Sequence, residues 1–178
     1  AGPGGVPLAI RPTVAGIEGR PHDGLGVGIL PPPGAVPLVT RTGTPLMTHR
    51  GRPSGPGTNR DQDALMEADP WVAVGAGSGD LVSDVRFGDA RLHVEWHAPP
   101  GGTGQLAGNS GVYLQDRYEL QVLGTLPGDA PPAADEAGGL YALKAADRNA
   151  STGPGTWQAY DVFFRAPRFA GGEKVADA

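Results

Sequence analysis

The stretch RLHVEWHAPP, residues 91–100, constrains the fold of this chain more than any other. From Arg91 to His97 polar and apolar side chains alternate without a break, the signature of a strand with one wet and one buried face. Leu92, Val94 and Trp96 are then predicted to enter a core, and His93, Glu95 and His97 to line the opposite face. Pro99 and Pro100 end the run, because proline cannot donate to a strand ladder. The chain contains 30 glycines and 19 prolines, which argues against long helices and for short strands joined by turns.

Other segments repeat the pattern. WVAVGAGSGDLVS, from Trp71, reads as two short strands around a glycine turn, and GNSGVYLQDRYELQVLG reads as a hairpin with its turn at Asp116 and Arg117. In TWQAYDVFFRAP, Trp157, Ala159, Asp161 and Phe163 alternate with Gln158, Tyr160, Val162 and Phe164. Trp96, Trp157 and Phe163 are expected in the core. Leu140–Leu143 suggests one more strand, and AVPLVT, from Ala35 to Thr40, a first strand kept to an edge by Pro37. Residues 1–35 carry three consecutive prolines and read as an extended Gly/Pro-rich arm. THRGRPSGPGTNRDQD, Thr48 to Asp63, reads as a loop. One antiparallel β-sandwich over residues 36–178 follows.

Several function classes fall away. The net charge of −5 carries no basic cluster, which disfavours nucleic acid as a partner. With no cysteine, thiolate metal sites and a cysteine nucleophile are excluded. No apolar run reaches the ~20 residues of a membrane span. No GxSxG surrounds a serine, and no helix follows the glycine-rich GAGSGD, so neither a Ser-His-Asp triad nor a phosphate loop is expected. The opening AGPGGVPLA, without methionine, is what a processed exported protein or a trimmed chain shows, and a secreted, periplasmic or envelope-associated location is the expectation. Asn149 heads a formal glycosylation triplet, NAS.

Four blocks in order, GDLVSDVRFGDARLHVEW, GNSGVYLQDRYELQVL, GGLYALKAADRNAS and GTWQAYDVFFRAPRF, resemble the secreted bacterial DUF1080, or 3-keto-disaccharide hydrolase, family over roughly residues 71–169. The resemblance implies a two-sheet jelly roll similar to concanavalin-type lectins. The family's chain continues with further strands where this one stops at GGEKVADA. The expectation is that those strands are missing here or supplied by another chain, which leaves an open sheet edge where a protein partner can add a strand. The N-terminal arm is a second candidate attachment point.

The resemblance also implies a reaction. A ketone at C3 of a sugar acidifies the C2 proton, so a base can remove it, the C1 substituent leaves, and water adds back. Such a route needs a base near pH 7 and an electrophile for the enolate charge. His93 or Glu95 is expected as the base, and Arg117 or a bound divalent metal as the electrophile. Asn109, Glu119, Gln121 and Tyr113 are expected to bind the sugar, on the premise that the hairpin neighbours the His93 row. Glu95 beside Arg117 is expected to form a fork-like ion pair.

Two other classes fit the same residues. Two imidazoles and a carboxylate suit Cu or Zn, and an oxygen-rich version suits Ca. His93 and His97 lie four strand positions apart, however, so one metal reaches both only across a bend, and His49 or Glu119 would have to join one of them. That reading gives a copper redox protein of the cell envelope, such as a superoxide dismutase. A non-catalytic carbohydrate-binding or structural module, using exposed aromatics such as Tyr113 or Tyr141, is the third. The bland alternative for His93, Glu95 and His97 is the wet face of a half-buried sheet.

Overall fold

The structure is a computed structural model that describes residues 8–11, 33–36, 38, 47–50, 72–74 and 80–178, the first three strands by backbone alone. Ten strands occur among these residues: β1 (Leu8–Arg11), β2 (Met47–Arg50), β3 (Val72–Val74), β4 (Asp80–Ser83), β5 (Ala90–His97), β6 (Ser110–Leu114), β7 (Tyr118–Val122), β8 (Trp157–Phe164), β9 (Arg168–Ala170) and β10 (Glu173–Ala176). Every pairing between them is antiparallel. The one helical turn described is the 3-10 segment Gly104–Leu106. The protein is all-β, and no described helix is long and apolar enough to cross a membrane.

β5 runs through the middle of a sheet of order β3-β1-β5-β8. It pairs with β8 over its whole length, from Ala90 opposite Phe164 to His97 opposite Trp157. β6 and β7 form a separate hairpin, paired from Ser110–Val122 to Leu114–Tyr118. The two layers meet through Trp96 of β5 and Val122 of β7, each 1% exposed, with Ala98, Val112, Ala137 and Tyr160 packed around them. The Trp96 and Tyr160 rings lie 5.3 Å apart, tilted by 47°, and the Tyr160 hydroxyl donates to the Gln121 carbonyl at 2.7 Å. Since side chains alternate along a strand, burying Trp96 turns Glu95 and His93 away from the hairpin, and burying Val122 turns Gln121 and Glu119 away from β5.

That arrangement corrects the premise that the hairpin sits beside the His93 row. Between His97 and Ser110 the chain leaves its sheet, makes the 3-10 turn and enters the other layer, where the Gly124 N–H donates to the Ala107 carbonyl at 2.6 Å. The strand neighbours of β5 are β1 and β8.

Other expectations meet mixed outcomes. The two strands after Trp71 form, but β3 pairs with β1 and β4 with β2. Leu8–Arg11, inside the segment read as an arm, lies in the sheet between β3 and β5; most of the rest of that segment is outside the described residues. Thr48–Arg50, read as the start of a loop, is part of β2, and the remainder of that loop is likewise outside. Within AVPLVT, Ala35 and Val36 are irregular and Leu38 is in a bend.

Leu140–Leu143 reduces to isolated bridges, from Leu140 to Leu120 and to Lys144. The chain then turns back on itself, the Leu140 N–H donating to the Lys144 carbonyl and the Lys144 N–H to Leu140. Phe163 is not core. It is 76% exposed, because its register partner is Arg91 and the pair shares the outer face of β5–β8.

Candidate functional site

Among the described residues two polar rows lie on the faces turned away from the Trp96–Val122 contact. The first lies on β5 and β8. His93 stands opposite Asp161, and its Nδ1 lies 3.3 Å from Asp161 Oδ1 while its Nε2 lies 3.5 Å from Glu95 Oε1. Glu95 is 1% exposed. Hydrogen bonding to Glu95, then to Asp161, raises the His93 pKa above the ordinary imidazole value, against the opposing effect of burial. Arg91 contacts the same Asp161 carboxylate at 3.5 Å and lays its guanidinium over the Phe163 ring, 5.1 Å from the centroid. With a carboxylate within 3.5 Å of each ring nitrogen, His93 links β5 to β8.

His97 ends the row against the Trp157 ring, 5.5 Å between centroids. It is about 13 Å along the strand from His93, too far to share a metal. His49 lies in β2, opposite Leu81 in another sheet. Among the described residues no three His, Asp or Glu side chains gather to hold a metal ion.

The second row lies on the hairpin. Tyr113 and Glu119 are register partners, as are Gly111 and Gln121, so all four share one face. The segment after the long loop continues this face. Hydrogen bonds from the Gln121 N–H to the Gly139 carbonyl and from the Tyr141 N–H to the Glu119 carbonyl, both 2.9 Å, set Gly139 beside Gln121 and Tyr141 beside Glu119. The result is a carboxylate between two phenols, Tyr113 at 55% and Tyr141 at 38% exposure. Burial pushes the Tyr113 pKa up to about 12, helped by hydrogen bonding to Glu119 and by the charges of Glu119 and Asp80. The phenol therefore keeps its proton at neutral pH and serves as a donor.

Beside this row is a nest of amides. Gln121 is fully buried, and its Nε2 lies 3.4 Å from Gln105 Oε1, 3.4 Å from Asn109 Oδ1 and 3.3 Å from the Asp135 carbonyl. Asn109 Nδ2 donates to Gln105 Oε1 at 2.8 Å, and Gln105 Nε2 donates to the Asp135 carbonyl at 2.8 Å. Among the described residues Gln121 Oε1 has no hydrogen-bond partner.

The structure thus brings Tyr113, Glu119, Gln121 and Asn109 together, and separates them from His93, Glu95 and His97 by the thickness of the sandwich. Arg117 is exposed at the hairpin tip, in a different sheet from Glu95 and not paired with it; its charge is felt by Lys174. Gln105, Asp135 and Gly111 were not anticipated. Gln105 and Asp135 sit in irregular connections with no periodicity to read, whereas Gly111, a glycine inside an alternating strand, carried a visible signal of close approach. Asn149 of the NAS triplet uses its amide within the fold, Nδ2 donating to the Leu126 carbonyl at 2.9 Å.

No curated protein and no solved structure matches the chain. A family model described as a 3-keto-alpha-glucoside-1,2-lyase-like domain matches residues 48–177, a span that takes in both polar rows, all of β3 to β10 and all but the first residue of β2. On that match, which covers well over half of the sequence, the chain belongs to the 3-keto-alpha-glucoside-1,2-lyase-like family.

Proposed function

We propose that this carbohydrate-related domain binds a 3-keto-glycoside on the outer face of the β6–β7 hairpin and cleaves it by C2 proton abstraction. The observation that carries the reading is the row Tyr113–Glu119–Tyr141, a carboxylate between two exposed phenols at the edge of an amide nest. Tyrosine faces stack on sugar rings while their hydroxyls and the neighbouring amides hydrogen-bond to sugar oxygens.

In this reading Glu119 takes the C2 proton. The C2–H electron pair passes into the enolate, whose oxygen at C3 accepts a hydrogen bond from the Tyr113 hydroxyl. The enolate then collapses: the C3 carbonyl re-forms, a C1–C2 double bond appears, and the C1–O bond breaks. The departing alkoxide takes the proton back from Glu119. Addition of water across the double bond converts the lyase outcome into net hydrolysis. His93 is left out because both its ring nitrogens face carboxylates, and no step is routed through a metal.

The test is an aryl 3-keto-glucoside carrying hydrogen or deuterium at C2. Release of the aryl alcohol with a primary isotope effect, reduced about 10²- to 10⁴-fold in Glu119→Gln, is the expected result. Saturable binding without release would leave the non-catalytic binding module, and release unaffected by Glu119→Gln would remove Glu119 from the chemistry.

A further inference from the structure

We infer that Gly111 is a positioning residue: the space left by its absent side chain is where the Glu119 carboxylate lies. Gly111 sits inside β6, where glycine weakens a strand, and its backbone is not left-handed, so conformation does not demand it. Space does. A Cβ built on Gly111 would stand 2.7 Å from Glu119 Cγ and 2.8 Å from Cδ, and closer still to Oε1. Glu119 is register partner to Tyr113, not to Gly111, so its side chain leans diagonally across the pair towards Gly111.

Any Cβ at position 111 would push the carboxylate out of that place. The obstacle is the flexible end of a side chain, so the strand can keep its pairing while Glu119 moves. Gly139, on the far side of Gln121, is different in kind: a Cβ there would meet the Ala134 carbonyl oxygen at 2.8 Å, which is backbone. Substitution at 111 therefore addresses the carboxylate, and substitution at 139 the fold.

The inference deepens the proposed reaction and rests on Glu119 being its base, but the placement can be read without turnover. In Gly111→Ala, tyrosine-resolved NMR titration should show the Tyr113 phenol ionising at lower pH than in the wild type, in the same direction as Glu119→Gln, because the carboxylate has left its neighbourhood. Turnover of the aryl 3-keto-glucoside should fall about 10- to 100-fold, the scale of a displaced catalytic group. Adding Glu119→Asp, one methylene shorter, to Gly111→Ala should restore part of that loss, although Glu119→Asp alone lowers turnover. An unchanged Tyr113 titration in Gly111→Ala overturns the inference. If Gly111→Ala does not fold, the double variant decides: recovered folding supports a clash with Glu119, and no recovery overturns it. A shifted Tyr113 titration with full turnover in Glu119→Gln would sink the proposed reaction while leaving the positioning intact.

Discussion

At the scale of single residues, His93 and Trp96 occupy opposite faces of one strand and make opposite demands. The carboxylates of Glu95 and Asp161 hold the His93 pKa above its ordinary value. A raised folded-state pKa means that the native protein binds the proton more tightly than the unfolded chain. The resulting stability is complete below the unfolded value of about 6.5 and is lost as pH rises through the folded value. Urea unfolding between pH 5 and pH 9 should show a decline in stability starting near pH 6.5, and His93→Gln should flatten that part of the curve. Trp96, 1% exposed at the contact between the layers, should cost about 3–5 kcal/mol when changed to alanine, read as a lower urea midpoint. The alternation of RLHVEWH put His93 and Trp96 on opposite faces in advance, and Trp96 is core as expected; the contact of His93 with Asp161 was not foreseen. The same rule misplaced Phe163, because alternation gives two faces without saying which is buried. Pairing with Arg91 decides that, and register is not written in one strand.

At the scale of elements, the hairpin of β6 and β7 shows what local sequence can specify. Both strands are legible from GVYL and YELQV, and so is the shared face of Glu119 and Gln121. The turn is displaced by one residue from its expected place. The Arg117 N–H donates to the Leu114 carbonyl at 3.2 Å, and the two residues between, Gln115 and Asp116, are left-handed with φ of 54° and 58°. Neither is glycine, so each pays a steric cost there. Replacing the pair by Asn-Gly, the sequence such turns favour, should stabilise the protein by about 1 kcal/mol, measured by the shift in urea midpoint at constant m. The β9–β10 hairpin escaped notice although its signal is present: Gly171 and Gly172, at φ of 60° and 86°, form the tight turn between RFA and EKVA. Its strands are short and exposed throughout, so they lack the apolar stripe that marked the others. Leu140–Leu143 failed in the opposite way, being apolar enough for a strand but closed by the reciprocal bonds between Leu140 and Lys144.

At the scale of the whole molecule, the arrangement of layers decides which residues can act together. Consecutive strands are neighbours more often than not, which made β5 and β6 natural partners on paper. The prolines and glycines between them carry the chain across the sandwich instead, so the rows of His93 and Glu119 end on opposite sides of the Trp96–Val122 core. Which polar residues share a face of one strand was therefore readable and their partition between layers was not, because partition depends on which sheet each strand joins. The central claim is that catalysis belongs to the hairpin face and that the His93 row is a structural tie. Parallel measurement of kcat/KM for Glu119→Gln and His93→Gln on the aryl 3-keto-glucoside, at a pH and temperature where both are folded, tests it most directly. The account predicts a loss of about 10²- to 10⁴-fold for Glu119→Gln and a rate for His93→Gln equal to wild type. Loss of turnover in His93→Gln with Glu119→Gln fully active would contradict it.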